Sequence, residues 1–224
     1  MLKKIITIVI FLLLLASAVL NDRRAVEPHE IIPLYAIQSK EGTTIQPADL
    51  SEETKRIIGA LGITNVHVFD LISREKQPGM TRVWVEGFEN GVKQEDLMNF
   101  STDSSLESDK SQVIISYNVK TNEEKNERSL SITATIMDDR GSSSAAGDIV
   151  QSESFGNGMV IPLNTEKELL INRPVTVITM IEDDGNSLSY SEDEIVTYDE
   201  TGKEPEHLKE YDRVYLFRMM LEKE

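Results

Sequence analysis

Beyond Gly62 the apolar and polar positions alternate with a period of two, which predicts β-strands rather than helices. "NVHVFDLI" sets Val66 and Val68 against His67 and Phe69. "TRVWVEGFENG" sets Val83 and Val85 against Trp84, Glu86 and Phe88, then reaches Asn90-Gly91, the dipeptide suited to a tight hairpin turn. "SQVIISYNVK" puts Val113, Ile115, Tyr117 and Val119 on one face. "SLSITATIM" puts Leu130, Ile132, Ala134 and Ile136 on one face and mostly serine and threonine on the other. The charged stretch between them, "TNEEKNER", reads as a solvated hairpin connection, and "DDRGSSSAAG" as an exposed turn or loop. "PVTVITMIEDDGNS" predicts a long strand entering a turn at Asp184-Gly185, and "DRVYLFRMML" a central strand covered on both faces. About eight to ten strands at close intervals predict an antiparallel β-sandwich, immunoglobulin-like or related. It is expected over 47–224, after a stem or lead-in over 21–46.

Two stretches break the rhythm. In "DLSEETKRIIGALG", Asp49 or Ser51 caps a short helix near 50–61, with Glu52 and Glu53 in its first turn and Ile57, Ile58 and Leu61 as its apolar stripe. The other is Ile5–Leu20, where only Thr7 and Ser17 carry polar side chains, preceded by Lys3 and Lys4. Positive charge stays on the cytoplasmic side, so the run exports the chain that comes after it. Ala16-Ser17-Ala18 offers a signal-peptide cleavage site after Ala18. The apolar character persists through Leu20, as in a retained transmembrane anchor. Both readings of residues 1–20 stand. Either one places the domain outside the membrane, as an anchored extracytoplasmic domain or a secreted one.

Composition narrows the setting. There is no cysteine, so neither a disulfide framework nor a lipid-modified cysteine contributes, and the fold depends on its own core. The simplest home is a bacterial cell surface. The net charge is −16, or −18 once Lys3 and Lys4 are set aside. Such a surface repels nucleic-acid phosphates, and no basic stripe offsets it, so nucleic acid is not an expected partner. The expected partners are the membrane, through the N-terminal segment, and another protein.

"RVWVEGFENGVKQ", Arg82 to Gln94, carries the pattern WxExxENG, and Ser142-Ser143-Ser144 supplies a serine-rich turn further on. In these the chain resembles small uncharacterised bacterial surface proteins with an N-terminal anchor. The resemblance implies an extracytoplasmic β domain; it carries no activity and no site residue.

The catalytic inventory is thin. No serine sits in a nucleophile elbow, and His29, His67 and His207 lack metal-ligand spacing. No catalytic or cofactor-binding residue is therefore assigned. The surviving constellation is acidic: Asp138 and Asp139 end one strand, while Glu182, Asp183 and Asp184 end another. If these turns share one end of the sandwich, their carboxylates could supply oxygens to calcium, the one cofactor to consider, although the linear calcium-loop pattern is absent. Trp84 and Phe88 share a face and serve either as core or as a platform for a partner. The function these observations favour is a non-enzymatic binding module. A calcium-dependent adhesion or surface module is the alternative, and a carboxylate hydrolase a weaker third, since no aromatic-rich cleft is evident to hold a sugar.

Overall fold

The computed structural model describes residues 42–60, 63, 65–73, 79–103, 110–122, 127–151, 157–185 and 188–223. The greasy N-terminal run, the stem with His29, and Leu61 and Gly62 lie outside them. The first strands and helix are β1 (Thr43–Pro47), α1 (Glu52–Ala60), β2 (Val66–Ser73), β3 (Met80–Glu89), β4 (Val92–Lys93), β5 (Met98–Asp103) and β6 (Lys110–Asn122). They are followed by β7 (Glu127–Met137), β8 (Ser142–Gln151), β9 (Asn157–Pro162), β10 (Lys167–Leu169) and β11 (Val175–Asp183). The last elements are α2 (Glu192–Thr201), a 3-10 helix (Glu206–Glu210) and β12 (Arg213–Glu222).

The fold is mainly β, with two antiparallel sheets facing each other across one core. The first runs β10-β1-β2-β6-β7-β8; the second runs β4-β3-β12-β11-β9, with β5 sharing the edge of β3 that β4 occupies. The two-residue period explains the packing. Phe69, Leu71, Val113, Ile115, Leu130 and Ile132 face inward from the first sheet and meet Val83, Val85, Met180, Tyr215, Phe217 and Met219 from the second. His67 falls on the inward face as well and stacks on Tyr117, ring centroids 6.1 Å apart. Removing about a dozen such side chains from water, at ~1.5–3 kcal/mol each, is the driving force for closing the stack.

The Asn90-Gly91 hairpin forms as its sequence demands, with φ of 49° and 72° leading β3 into β4. The α1 helix forms too, and Ser51 caps it, its Oγ accepting from the Thr54 N–H at 3.1 Å. It buries none of its residues, however, and the apolar side chain of Ile57 stays exposed.

Four stretches differ from expectation. First, β1 lies between β10 and β2, so the sandwich begins inside the segment expected to be lead-in. Second, most of "DDRGSSSAAG" is strand: only 138–141 turn, and Ser142 onward pairs along β7 as β8. Its last glycine has a packing reason. A Cβ on Gly147 would sit 3.1 Å from the Leu97 carbonyl oxygen, because β5 of the other sheet crosses close over this edge. Third, β11 does not make a hairpin at Asp184-Gly185. It pairs with β9 and β12, and the chain reaches β12 only after α2 and the 3-10 helix. Fourth, α2 occupies a stretch for which the sequence pattern predicts no helix. Its cues are local: Ser191 caps Glu194, Glu192 to Glu194 fill the first turn, and Gly202 closes the end at φ 71°.

Candidate functional site

The second sheet carries a further layer on its outer face. Ile195 and Tyr198 of α2, with Leu208 and Tyr211 after it, pack on Phe88, Ile181, Val214 and Leu216. This layer is why β12 is apolar on both faces. It also buries Phe88, and Trp84 beside it is 6% exposed. Both residues named as a partner platform thus lie beneath this layer or at its border. His207 is drawn in with them: its Nδ1 bonds Glu194 Oε2, which also accepts from the His207 backbone N–H at 3.3 Å. The His207 Nε2 is buried without a hydrogen-bond partner.

Next to the apolar contact the outer face turns ionic. Glu86 of β3 accepts from the Trp84 indole N–H at 3.0 Å and the Tyr198 hydroxyl at 2.7 Å, with Lys93 Nζ 3.2 Å away. Arg218 of β12 divides its guanidinium, one nitrogen 2.9 Å from Glu86 and the other 2.9 Å from Asp199 of α2. Asp199 also accepts from the Thr176 backbone N–H at 2.7 Å and the Thr176 hydroxyl at 2.8 Å. The Arg218 plane lies over the Tyr198 ring at 4.3 Å, and Arg82 stands over Trp84 at 4.9 Å. Burial alone would raise the Glu86 carboxyl, but the charge of Arg218, the bonds from Trp84 and Tyr198 and the charge of Lys93 hold it below its ordinary value. At Asp199 burial wins, and the carboxyl sits above its ordinary value despite Thr176 and Arg218. Two carboxylates and two cations are thereby matched, tying α2 to the sheet.

Beside this cluster a cleft of about 280 Å³ opens between α2 and the segment joining β9 to β11. Val175 to Thr179 of β11 line its floor, Leu163 and Leu170 one wall, and Ile195, Val196 and Asp199 the other. Two ion pairs connect the walls: Lys167 to Glu192 at 3.6 Å and Arg173 to Glu200 at 2.8 Å. The cleft combines an apolar interior with a charged rim, the usual make-up of a recognition pocket.

The family model described as the YgaN domain matches residues 44–221, from within β1 to within β12. The chain belongs to the YgaN domain family. The match covers both sheets, the outer layer and every residue of the cluster and cleft. No curated protein and no solved structure matches the chain.

The acidic residues expected from sequence are not brought together. Glu182 faces inward at one end of the core, ion-paired with Arg128 of β7. Asp138 follows the last residue of that same strand, ten positions along, or about 33 Å at ~3.3 Å per residue. Asp138 accepts from the Arg140 and Gly141 backbone N–H groups at 2.8 and 3.1 Å and pairs with the Arg140 guanidinium at 2.9 Å. Those bonds, the Arg140 side chain first, hold its carboxyl below the ordinary value. Asp139 next to it is exposed. Asp183 accepts from the Gly185 N–H at 2.9 Å, and the Asp184 N–H donates to Asp212 at 2.9 Å. Among the described residues no three carboxylate or histidine side chains gather as an ion would require. Reading the sequence missed Arg218, Tyr198 and Asp199. The available signal was charge inside apolar strands: Glu86 in "VWVEGF" and Arg218 in "VYLFRMML" sit where a lone ion would be costly.

Proposed function

We propose that this chain is a non-enzymatic, exported binding module of a bacterial cell surface, which takes a partner protein in the cleft beside α2. The carrying observation is that cleft: an apolar floor on a sheet, with two partly exposed ion pairs joining its walls. The neighbouring carboxylates support binding over chemistry, since Glu86 and Asp199 direct their bonds to Trp84, Tyr198, Thr176 and Arg218. Export is supported by the Ile5–Leu20 run behind Lys3 and Lys4, read as a hydrophobic helix that anchors the domain or is removed from it. An immunoglobulin-like or related form is supported by the way the chain passes repeatedly between the two sheets.

The test is photo-crosslinking in intact cells, with the reactive group placed at Val196 or Leu170 of the cleft and at Ser131 on the outward face of the first sheet. The expected result is one discrete adduct from the cleft positions and none from Ser131. No cleft adduct, or one from Ser131 alone, would overturn the reading. Terminal sequencing of the recovered protein reports whether residues 1–20 are retained.

A further inference from the structure

The charges and size of the cleft point to what it takes, an inference that rests on its being the binding site. Both cations in its lining are already met, Lys167 by Glu192 and Arg173 by Glu200. Glu168 and Asp199 add two more carboxylates to the same lining. Three of these four carboxylates are met by cations, Glu192 by Lys167, Glu200 by Arg173 and Asp199 by Arg218. Glu168 is therefore the excess charge of the lining, and on a chain of net charge −16 that excess favours a cationic ligand over an anionic one.

Asp199 also has acceptor capacity in reserve. Its Oδ1 takes the Thr176 hydroxyl and an Arg218 nitrogen, and its Oδ2 takes only the Thr176 backbone N–H. A carboxylate accepts about four bonds, so one remains for a donor entering the cleft.

At about 280 Å³ the cleft lies at the lower end of the range of ligand pockets, roughly 300–1,000 Å³. It is near twice the ~150 Å³ of a cavity that holds benzene. One large apolar side chain with part of its neighbour fits that space. Aromatic and arginine anchors are also the side chains that dominate protein interfaces.

We infer that the cleft seats a segment of a partner protein that presents an aromatic or aliphatic residue beside an arginine or lysine. The apolar side chain enters between Leu163 and Val196, and the cation turns to Asp199 and Glu168. The rim pairs yield readily, because exposed ion pairs hold weakly and are screened by salt.

The test uses the full chain in phosphatidylcholine nanodiscs and three fluorescent blocked peptides of equal length, in which Phe-Leu is flanked by arginines, serines or glutamates. The arginine peptide is expected to bind roughly tenfold tighter than the serine peptide, the glutamate peptide not to bind, and the preference to shrink as salt rises. Glu168→Lys and Leu170→Lys alter exposed side chains, and each is expected to remove most of the arginine peptide's advantage. Equal binding of the serine or glutamate peptide would overturn the ligand class while leaving the cleft as a binding site. Binding untouched by both substitutions, or no binding by any peptide, would also overturn the inference. Loss of the crosslinks from Val196 and Leu170 in cells, by contrast, would remove the site itself.

Discussion

Arg218 Nη1 and Glu86 Oε1 lie 2.9 Å apart, each side chain 5% exposed, so neighbouring strands β12 and β3 are joined by a full charge pair outside the main core. A pair this deep gains little over an apolar contact, but removing one partner leaves the other charge stranded. Arg218→Met would strand part of Glu86 and all of Asp199, which has no second cation among the described residues. The expected loss is about 3–5 kcal/mol by denaturant unfolding, with partial recovery when Glu86→Gln is added. A loss within the range of a surface substitution would show that water reaches the pair.

The same cluster sets the acid response through two groups of opposite sign. Glu86 is held below its ordinary 4.5 in the folded chain, so its contribution is fully present above that value and is lost as pH falls through the folded one. Asp199 is held above its ordinary 3.8, so the folded chain keeps a proton that the unfolded chain releases, and this group adds stability as pH falls toward 3.8. Glu86→Gln should flatten the loss of stability in acid, and Asp199→Asn should steepen it. Urea midpoints measured on either side of the carboxylate range check both slopes; a common direction for the two variants would refute the assignment.

The β part of this fold was legible because burial imposes a period of two, and the inward sets on β6 and β7 fall where that period puts them. The Asn90-Gly91 turn was legible because few residue pairs accept two positive φ angles in succession. The β8 strand was not, since Gly147 sits in it where β5 crosses close by, which no local pattern expresses. Nor was α2: its buried face amounts to Ile195 and Tyr198 on a largely acidic helix, too thin a stripe to announce a helix. The cleft was invisible in sequence for a stronger reason. Its walls come from segments that meet only through the crossing from β9 to β11, and its ion pairs join Lys167 and Arg173 to residues some 25 positions later.

Gly91 tests how closely the hairpin and the outer layer are fitted together. Its φ is 72°, and a Cβ there would lie 2.7 Å from the backbone of Lys209 in the 3-10 helix. Gly91→Ala places a side chain on a left-handed residue, which costs about 1–2 kcal/mol, and must also displace that helix. Asn90→Gly does neither. The melting temperature should fall clearly in the first variant and stay near the parent value in the second. Equal melting of the two would show that the turn and the 3-10 helix do not constrain each other.

Ile195 probes whether the outer layer unfolds with the sandwich or before it. Its side chain is buried, but among the residues of the outer contact, separate from the inward sets of β6 and β7. Truncating a buried isoleucine costs roughly 2–5 kcal/mol wherever it packs. If α2 and the 3-10 helix form their own cooperative unit, that cost is drawn from their local stability and not from the core. Ile195→Ala should therefore speed amide hydrogen exchange along Ile195–Thr201 and in the 3-10 helix while leaving Val113–Tyr117 and Leu130–Ile136 protected as before. The ties from Arg218 and Thr176 to Asp199 add polar contact to the buried Tyr198 at one end of α2, so exchange should be slowest around Asp199 and fastest toward Ser191. Uniform acceleration across both sheets would mean that the layer over the second sheet is part of one indivisible fold, and that the cleft wall cannot open without it.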